Sequence, residues 1–337
     1  MEVPVKELLR EYVCAIQVPG SDAATDTVLV QLVDDFRDQP AAFKRDMHRL
    51  LEKDASSFLR SACRVLKAST EGPGAEYLMN LLWSSRVLLA SLADPALFPL
   101  EGAISLAKRW SEQDALLDIK LLHLARPGEF VPDGRAALKA RRALAVVGAL
   151  PVRQHILLPL GSFLRSPDER VRSQATRLFG RANQNPEWVR QRLEETDARI
   201  RANAVESLWG DASERVGEIL MQAASDANHR VAANALIGLH FRGANVTEAV
   251  RRMARRSEPL ARAAAAFAMG QIRDAGFKAL LEDLVKDANG HVRRQALRSL
   301  IQIRRGQRQA GSPEEAKTGA PAPAETVRGG AESPRAH

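Results

Sequence analysis

The 337-residue chain is 45% hydrophobic and 27% charged, ordinary values for a folded soluble protein, but only 5% aromatic, which favours Ala/Leu-packed helices over a β-sandwich. Its net charge of +8 is local: residues 1–250 hold 32 basic and 32 acidic side chains, 251–308 hold 14 against 5, and those from 309 hold 3 against 4. The charged Met1–Glu7 stretch lacks the apolar run of a signal peptide, and no segment approaches the ~20 apolar residues of a membrane span, so a soluble cytoplasmic protein is expected.

Residues 3–17 read as an amphipathic helix ending near Pro19-Gly20. Ser21-Asp22 caps a second, with Val28, Leu29, Leu32, Val33 and Phe36 at helical spacing. Pro40 opens a third, Asp54 starts a fourth, and Glu71-Gly-Pro-Gly74 is a turn without the features of a phosphate loop. Helices over 75–92, 95–109 and 114–125 follow, then a long loop from Pro127 to Gly134 that separates two sub-arrays. Cys14 and Cys63 fall alone in amphipathic stretches and read as buried thiols, with no disulfide or zinc framework. From Gly306 the Gly, Ala, Pro, Ser, Glu and Thr composition predicts a disordered tail over 306–337.

Between Gly134 and residue 305 one unit recurs. Its anchor positions are Val171, Ile200, Val231, Ala261 and Val292, spaced 29, 31, 30 and 31 residues apart. Four residues on stand Ala175, Ala204, Ala235, Ala265 and Ala296; eight on stand Phe179, Leu208, Leu239, Met269 and Leu300. Such an i, i+4, i+8 stripe cannot bury itself in one hairpin and must stack on the next copy. The pattern predicts an all-α fold: a right-handed α-solenoid of stacked antiparallel hairpins, with a divergent helical region over 1–133, five to six repeats over 134–305, and the tail.

The Asp-x-x-Val-Arg-x-x-Ala pattern, complete at Asp168/Val171/Arg172/Ala175 and Asp197/Ile200/Arg201/Ala204, resembles the HEAT repeat family. Glu258 and Asn289 replace the acid before Arg262 and Arg293, and the third copy pairs Asn228 with Ala232. The unit is shorter than the ~40–47 residues usual for the family and looks like the short repeats of phycobilisome lyases and bacterial scaffolds. The resemblance implies that Asp caps the second helix and pairs with Arg one repeat away, which makes both structural.

Chemistry is harder to find. None of the seven histidines pairs with a second metal ligand at helical spacing, and there is no nucleophile elbow or dinucleotide loop, so no catalytic residue, cofactor or metal is expected. Trp188 and Trp209, beside Arg190, Arg192 and Arg201, bear some resemblance to the groove of HEAT-like alkyl-base DNA glycosylases. Glu187, Glu194, Glu195, Glu206 and Asp211 around them would repel phosphates, and packing is the better reading. Two candidate binding features remain. Three residues past each anchor, Gln174, Asn203, Asn234 and Gln295 form an amide row expected to face away from the apolar stripe. Arg251, Arg252, Arg255, Arg256, Arg293, Arg294 and Arg298 form a basic patch suited to an acidic partner. The function expected is a non-catalytic protein-interaction scaffold with an unidentified protein partner and no membrane. Its alternatives are a nucleic-acid-associated protein using the basic end and a lyase-like or glycosylase-like enzyme or accessory.

Overall fold

Helix starts follow the acceptors placed in the turns. Asp168, Asp197 and Asn228 stand in extended backbone just ahead of a helix and take its free N–H groups: Asp168 that of Val171 (2.8 Å), Asp197 that of Arg199 (2.8 Å), Asn228 that of Arg230 (3.0 Å). The computed structural model describes residues 3–16, 29, 40–68, 72–126 and 134–310. The rest of the helix expected from Ser21 to Phe36, the loop from Pro127, and the tail beyond 310 lie outside the described residues.

In chain order the helices are α1 Val3–Ala15, α2 Pro40–Lys53, α3 Ala55–Ala68, α4 Pro73–Ser84, α5 Val87–Leu92, α6 Leu100–Gln113, α7 Leu117–Leu124, α8 Gly134–Gly148, α9 Leu157–Leu164, α10 Glu169–Asn183, α11 Pro186–Arg192, α12 Ala198–Glu206, α13 Glu214–Ala223, α14 His229–Phe241, α15 Thr247–Ala254, α16 Pro259–Ile272, α17 Lys278–Leu284 and α18 Gly290–Ala310. Short 3-10 turns, Gln154–Ile156 and Ala275–Phe277, precede α9 and α17. Among the described residues there is no strand, and the fold is an all-α solenoid of antiparallel hairpins.

The chain divides into two compact units, residues 1–246 and 247–337, so the division falls inside the expected repeat array. In the first unit α6, α8, α10, α12 and α14 pack in succession as one layer, while α3, α5, α7 and α9 pack in succession in the other and α11 packs on α13. The early helices thus follow the same alternation as the clear repeats. Their core centres on Tyr12, Phe58, Phe98 and Phe163. Burial pushes the Tyr12 phenol pKa up, and its hydroxyl meets Leu88 O and Ser91 Oγ. In the second unit α15 packs on α16, α17 on α18, and α16 on α18, around Met269, Phe277, Leu281 and Ile303.

Three local expectations change. The single helix over 75–92 breaks at Arg86, which adopts φ 61°, because the Ser84 and Ser85 hydroxyls donate back to Leu81 O (3.2 Å) and Leu82 O (3.1 Å), an alternative to continued helix. Cys14 is exposed; only Cys63 is buried, and burial raises its thiol pKa to about 12. The last helix continues through Gly306 to Ala310, where Gln307, Arg308, Gln309 and Ala310 are good helix formers.

Stacking is close where glycine allows it. A Cβ on Gly180 of α10 would lie 2.7 Å from Ser207 Cβ beside α12, and one on Gly270 of α16 would lie 2.8 Å from Ser299 Cβ of α18. Both contacts occupy the same register of the repeat. Overpacking such a seam costs about 1–3 kcal/mol. Gly180→Val is therefore expected to lower stability by that order, read as the urea midpoint at unchanged m-value; an unchanged midpoint would show that the seam yields.

Candidate interaction surface

A hairpin turn leaves carbonyls at the end of its first helix, and in four of the five copies one arginine takes two of them. Nη1 of Arg172 donates to Ser166 O (2.7 Å) and Pro167 O (2.9 Å), and Nη1 of Arg201 to Glu195 O (2.8 Å) and Thr196 O (3.1 Å). Arg262 does the same with Arg256 O and Ser257 O, and Arg293 with Asp287 O and Ala288 O. In two copies the guanidinium also reaches the following turn. Arg201 Nε and Nη2 hold Asp226 at 2.9 and 3.1 Å, and Arg262 holds Asp287 at 2.6 and 3.0 Å. The paired acid is not the helix cap: Asn228 and Asn289, two residues further on, cap instead, which corrects the expectation that one Asp does both. The Arg262 hydrogen bond holds the Asp287 carboxyl below its ordinary range. For Asp226 burial pushes upward, and Arg201 with the Asn228 N–H outweighs it.

The amide row lies elsewhere than expected. Asn203 and Asn234 are buried, at 5% and 1% exposure. Asn203 Nδ2 donates to Ser173 O and Oγ, both at 2.7 Å, and Asn234 Nδ2 to Ala202 O at 2.9 Å. Gln174 is half-buried, and its enclosed Oε1 accepts no hydrogen bond; half-buried Gln295 donates to Ser299 Oγ at 3.4 Å. The reason is angular. Three residues past the anchor is about 60° short of a full turn, beside the apolar stripe rather than opposite it. At Asn203 and Asn234 the row therefore ties one second-layer helix to the one before it.

The basic patch is at the surface. Arg252, Arg255, Arg256, Arg293, Arg294 and Arg298 are exposed and Arg251 is half-buried. Arg255 and Arg256 occupy the turn after α15. Arg262 binds that turn's carbonyls and Asp287 of the next turn, whose own carbonyl takes Arg293, so the two turns adjoin along one edge of the second unit. Among the described residues none of these seven arginines forms an ion pair. In the first unit several arginines are paired. There Arg177 pairs with Glu206, Arg192 with Glu195, Arg199 with Glu169, and Glu187 with both Arg190 and Arg215, whose hydrogen bonds hold its carboxyl at about 2. Leu260, 56% exposed, starts α16 beside the arginine edge.

Residues 217–302 and 246–317 match the family model of HEAT repeats. Residues 217–317 carry HEAT repeats. The match takes in all seven candidate arginines together with Asn234 and Gln295. No curated protein matches the chain. Among solved structures it is similar to the crystal structure of an engineered protein at 17% identity, over 90% of this chain and 99% of that one, with a TM-score of 0.28, and nothing further rests on that likeness.

Within and around the HEAT repeats the other sequence candidates have packing partners. Trp188 lies against Phe179, ring centroids 4.7 Å apart, with Arg192 over its face; Trp209 donates Nε1–H to Asn234 O at 2.8 Å. Among the described residues no group of three or more His, Cys, Asp or Glu comes together for a metal. One pairing escaped the sequence reading. Buried Asp118 in the first turn of α7 takes the Ile119 N–H and lies 2.7 Å from His155 Nε2. It fastens the 3-10 turn before α9 to α7, and a separation of 37 residues gave no signal for it.

Two tests follow from this geometry. Asn203→Ala removes the hydrogen bonds to Ser173 O and Oγ across the buried seam and is expected to cost about 1–3 kcal/mol of stability; unaltered stability would return the row to a surface role. The Asp287 carboxyl sits below its unfolded value, so its pairing stabilises fully above about pH 4 and is lost as pH falls through the depressed pKa. Arg262→Met should lower the urea midpoint at pH 7 by a gap that narrows as pH falls below about 4, down to the part due to the lost bonds to Arg256 O and Ser257 O. A constant gap would separate the effect from Asp287 ionisation.

Proposed function

We propose that the chain is a non-catalytic protein-interaction scaffold whose HEAT repeats present an arginine edge to an acidic protein partner. The observation that carries this reading is the local charge excess: residues 251–308 hold 14 basic side chains against 5 acidic, and Arg252, Arg255, Arg256, Arg294 and Arg298 are exposed with no ion pair among the described residues. Exposed charges in that arrangement steer an oppositely charged partner into encounter and disfavour basic ones. Among the described residues no helix is long and apolar enough to cross a membrane, and work in the cytoplasm is part of the proposal.

A nucleic-acid partner is the second reading, supported by the same arginines and the local charge excess. Leu260 among them favours protein, because phosphates gain nothing from an exposed leucine. Salt and nuclease separate the two. A protein partner should survive nuclease treatment and be lost on Arg255→Glu/Arg256→Glu, with the melting temperature unchanged. Duplex DNA held through these arginines would instead lose about 1000-fold or more in affinity between 50 and 200 mM salt. Retention of the partner by the charge-reversed variant would remove the edge from the function.

A further inference from the structure

The repeats show which side of a second-layer helix receives the next copy. On α10 it is Ser173, Thr176 and Gly180: Ser173 takes Asn203 of α12, and Gly180 meets Ser207. On α16 the same columns are Ala263, Ala266 and Gly270, with Gly270 against Ser299 and Gln302 of α18. All six residues are buried, and all are small. On α18 these columns become Arg294, Leu297 and Ile301. Leu297 is 52% exposed and Ile301 41%, with Arg294, Arg298, Arg304 and Arg305 exposed around them. The helix therefore carries the geometry of a stacking face, with an apolar pair where the internal copies are covered and a cationic border where they are small.

We propose that this face of α18 docks an acidic amphipathic helix, which stacks on Leu297 and Ile301 as a following repeat would and sets its carboxylates against Arg294, Arg298 and Arg305. The reading rests on the scaffold proposal and assigns the partner's form. Charge selects among occupants. A second copy stacked face to face would bring Arg294 and Arg298 against their own counterparts, a like-charge contact that opposes pairing. Residues 311–337 supply Glu314 and Glu315 but one large aliphatic residue, Val327, and cannot cover two apolar side chains. A duplex would meet the arginines and leave Leu297 and Ile301 in water. An amphipathic helix satisfies both parts of the face, by the helix-in-groove logic of i, i+3, i+4 and i+7 anchors.

The test uses the full chain and a synthetic helix of about 20 residues, leucine along one stripe and glutamate on its flanks. Controls are a scrambled peptide of the same composition and one with lysine for glutamate. Fluorescence anisotropy should show binding of the designed helix that weakens by at least about tenfold with Leu297→Gln/Ile301→Gln, and no binding of the lysine peptide. These exposed substitutions should leave the melting temperature unchanged. Equal binding of the scrambled peptide, or indifference to the double substitution, would overturn the proposal. So would duplex DNA binding that competes with the peptide and ignores that substitution. A concentration-dependent doubling of mass in sedimentation, abolished by Leu297→Gln, would make a second copy the occupant; tighter peptide binding on Glu314→Lys/Glu315→Lys would make residues 311–337 the occupant. If partner capture through Arg255 and Arg256 persists while the peptide fails, this inference falls alone and the scaffold stands.

Discussion

A hairpin turn in this chain has to satisfy two sets of backbone groups at once: carbonyls at the end of its first helix and N–H groups at the start of its second. The stack depends on how that is done. An Asp or Asn placed three residues ahead of the anchor takes N–H groups, and the arginine one residue past the anchor takes two carbonyls. Because Nη1 alone serves both carbonyls, the guanidinium is fixed in orientation with Nε and Nη2 still pointing outward. At Arg201 and Arg262 those nitrogens find the Asp of the following turn. The same group that closes one hairpin therefore sets the position of the next. Small residues in the facing columns then let the helices approach, and Asn203 and Asn234 stitch backbone to side chain across the seam.

The class and the repeat were legible because stacking imposes the same demand on every copy. Val171, Ala175 and Phe179 recur as columns, and the capping role of Asp168 and Asp197 follows from their place before the stripe. The direction of the amide row was not legible from polarity. An asparagine beside the stripe looks like an exposed residue until the backbone carbonyl it serves, Ser173 O or Ala202 O, is in view. Nor was the acid that pairs with Arg201 and Arg262, since a spacing of 25 residues joins two different columns, and Asn at the cap conceals the Asp before it. The first half gave less because no column of like residues recurs there at a constant interval, even though its helices stack alternately.

The charge pattern has an energetic logic of its own. Exposed ion pairs such as Arg199 with Glu169 or Arg215 with Glu187 contribute little to stability, because solvent and salt screen them. The second unit can therefore dispense with such acids at small cost to folding, provided that the buried seam and the Arg262–Asp287 bond remain. It keeps those and leaves Arg252, Arg255, Arg256, Arg294 and Arg298 exposed. Net positive charge left over in this way repels further copies of itself and attracts anions over roughly a Debye length, about 8 Å at physiological salt. What distinguishes this surface from a purely solvated one is Leu297 and Ile301 within it. A partner that covers them expels water from around Arg294 and Arg298, and the charge pairs formed there act through a lower dielectric than any exposed pair in the first unit. In the proposed complex the apolar pair supplies the affinity and the arginines the choice of partner.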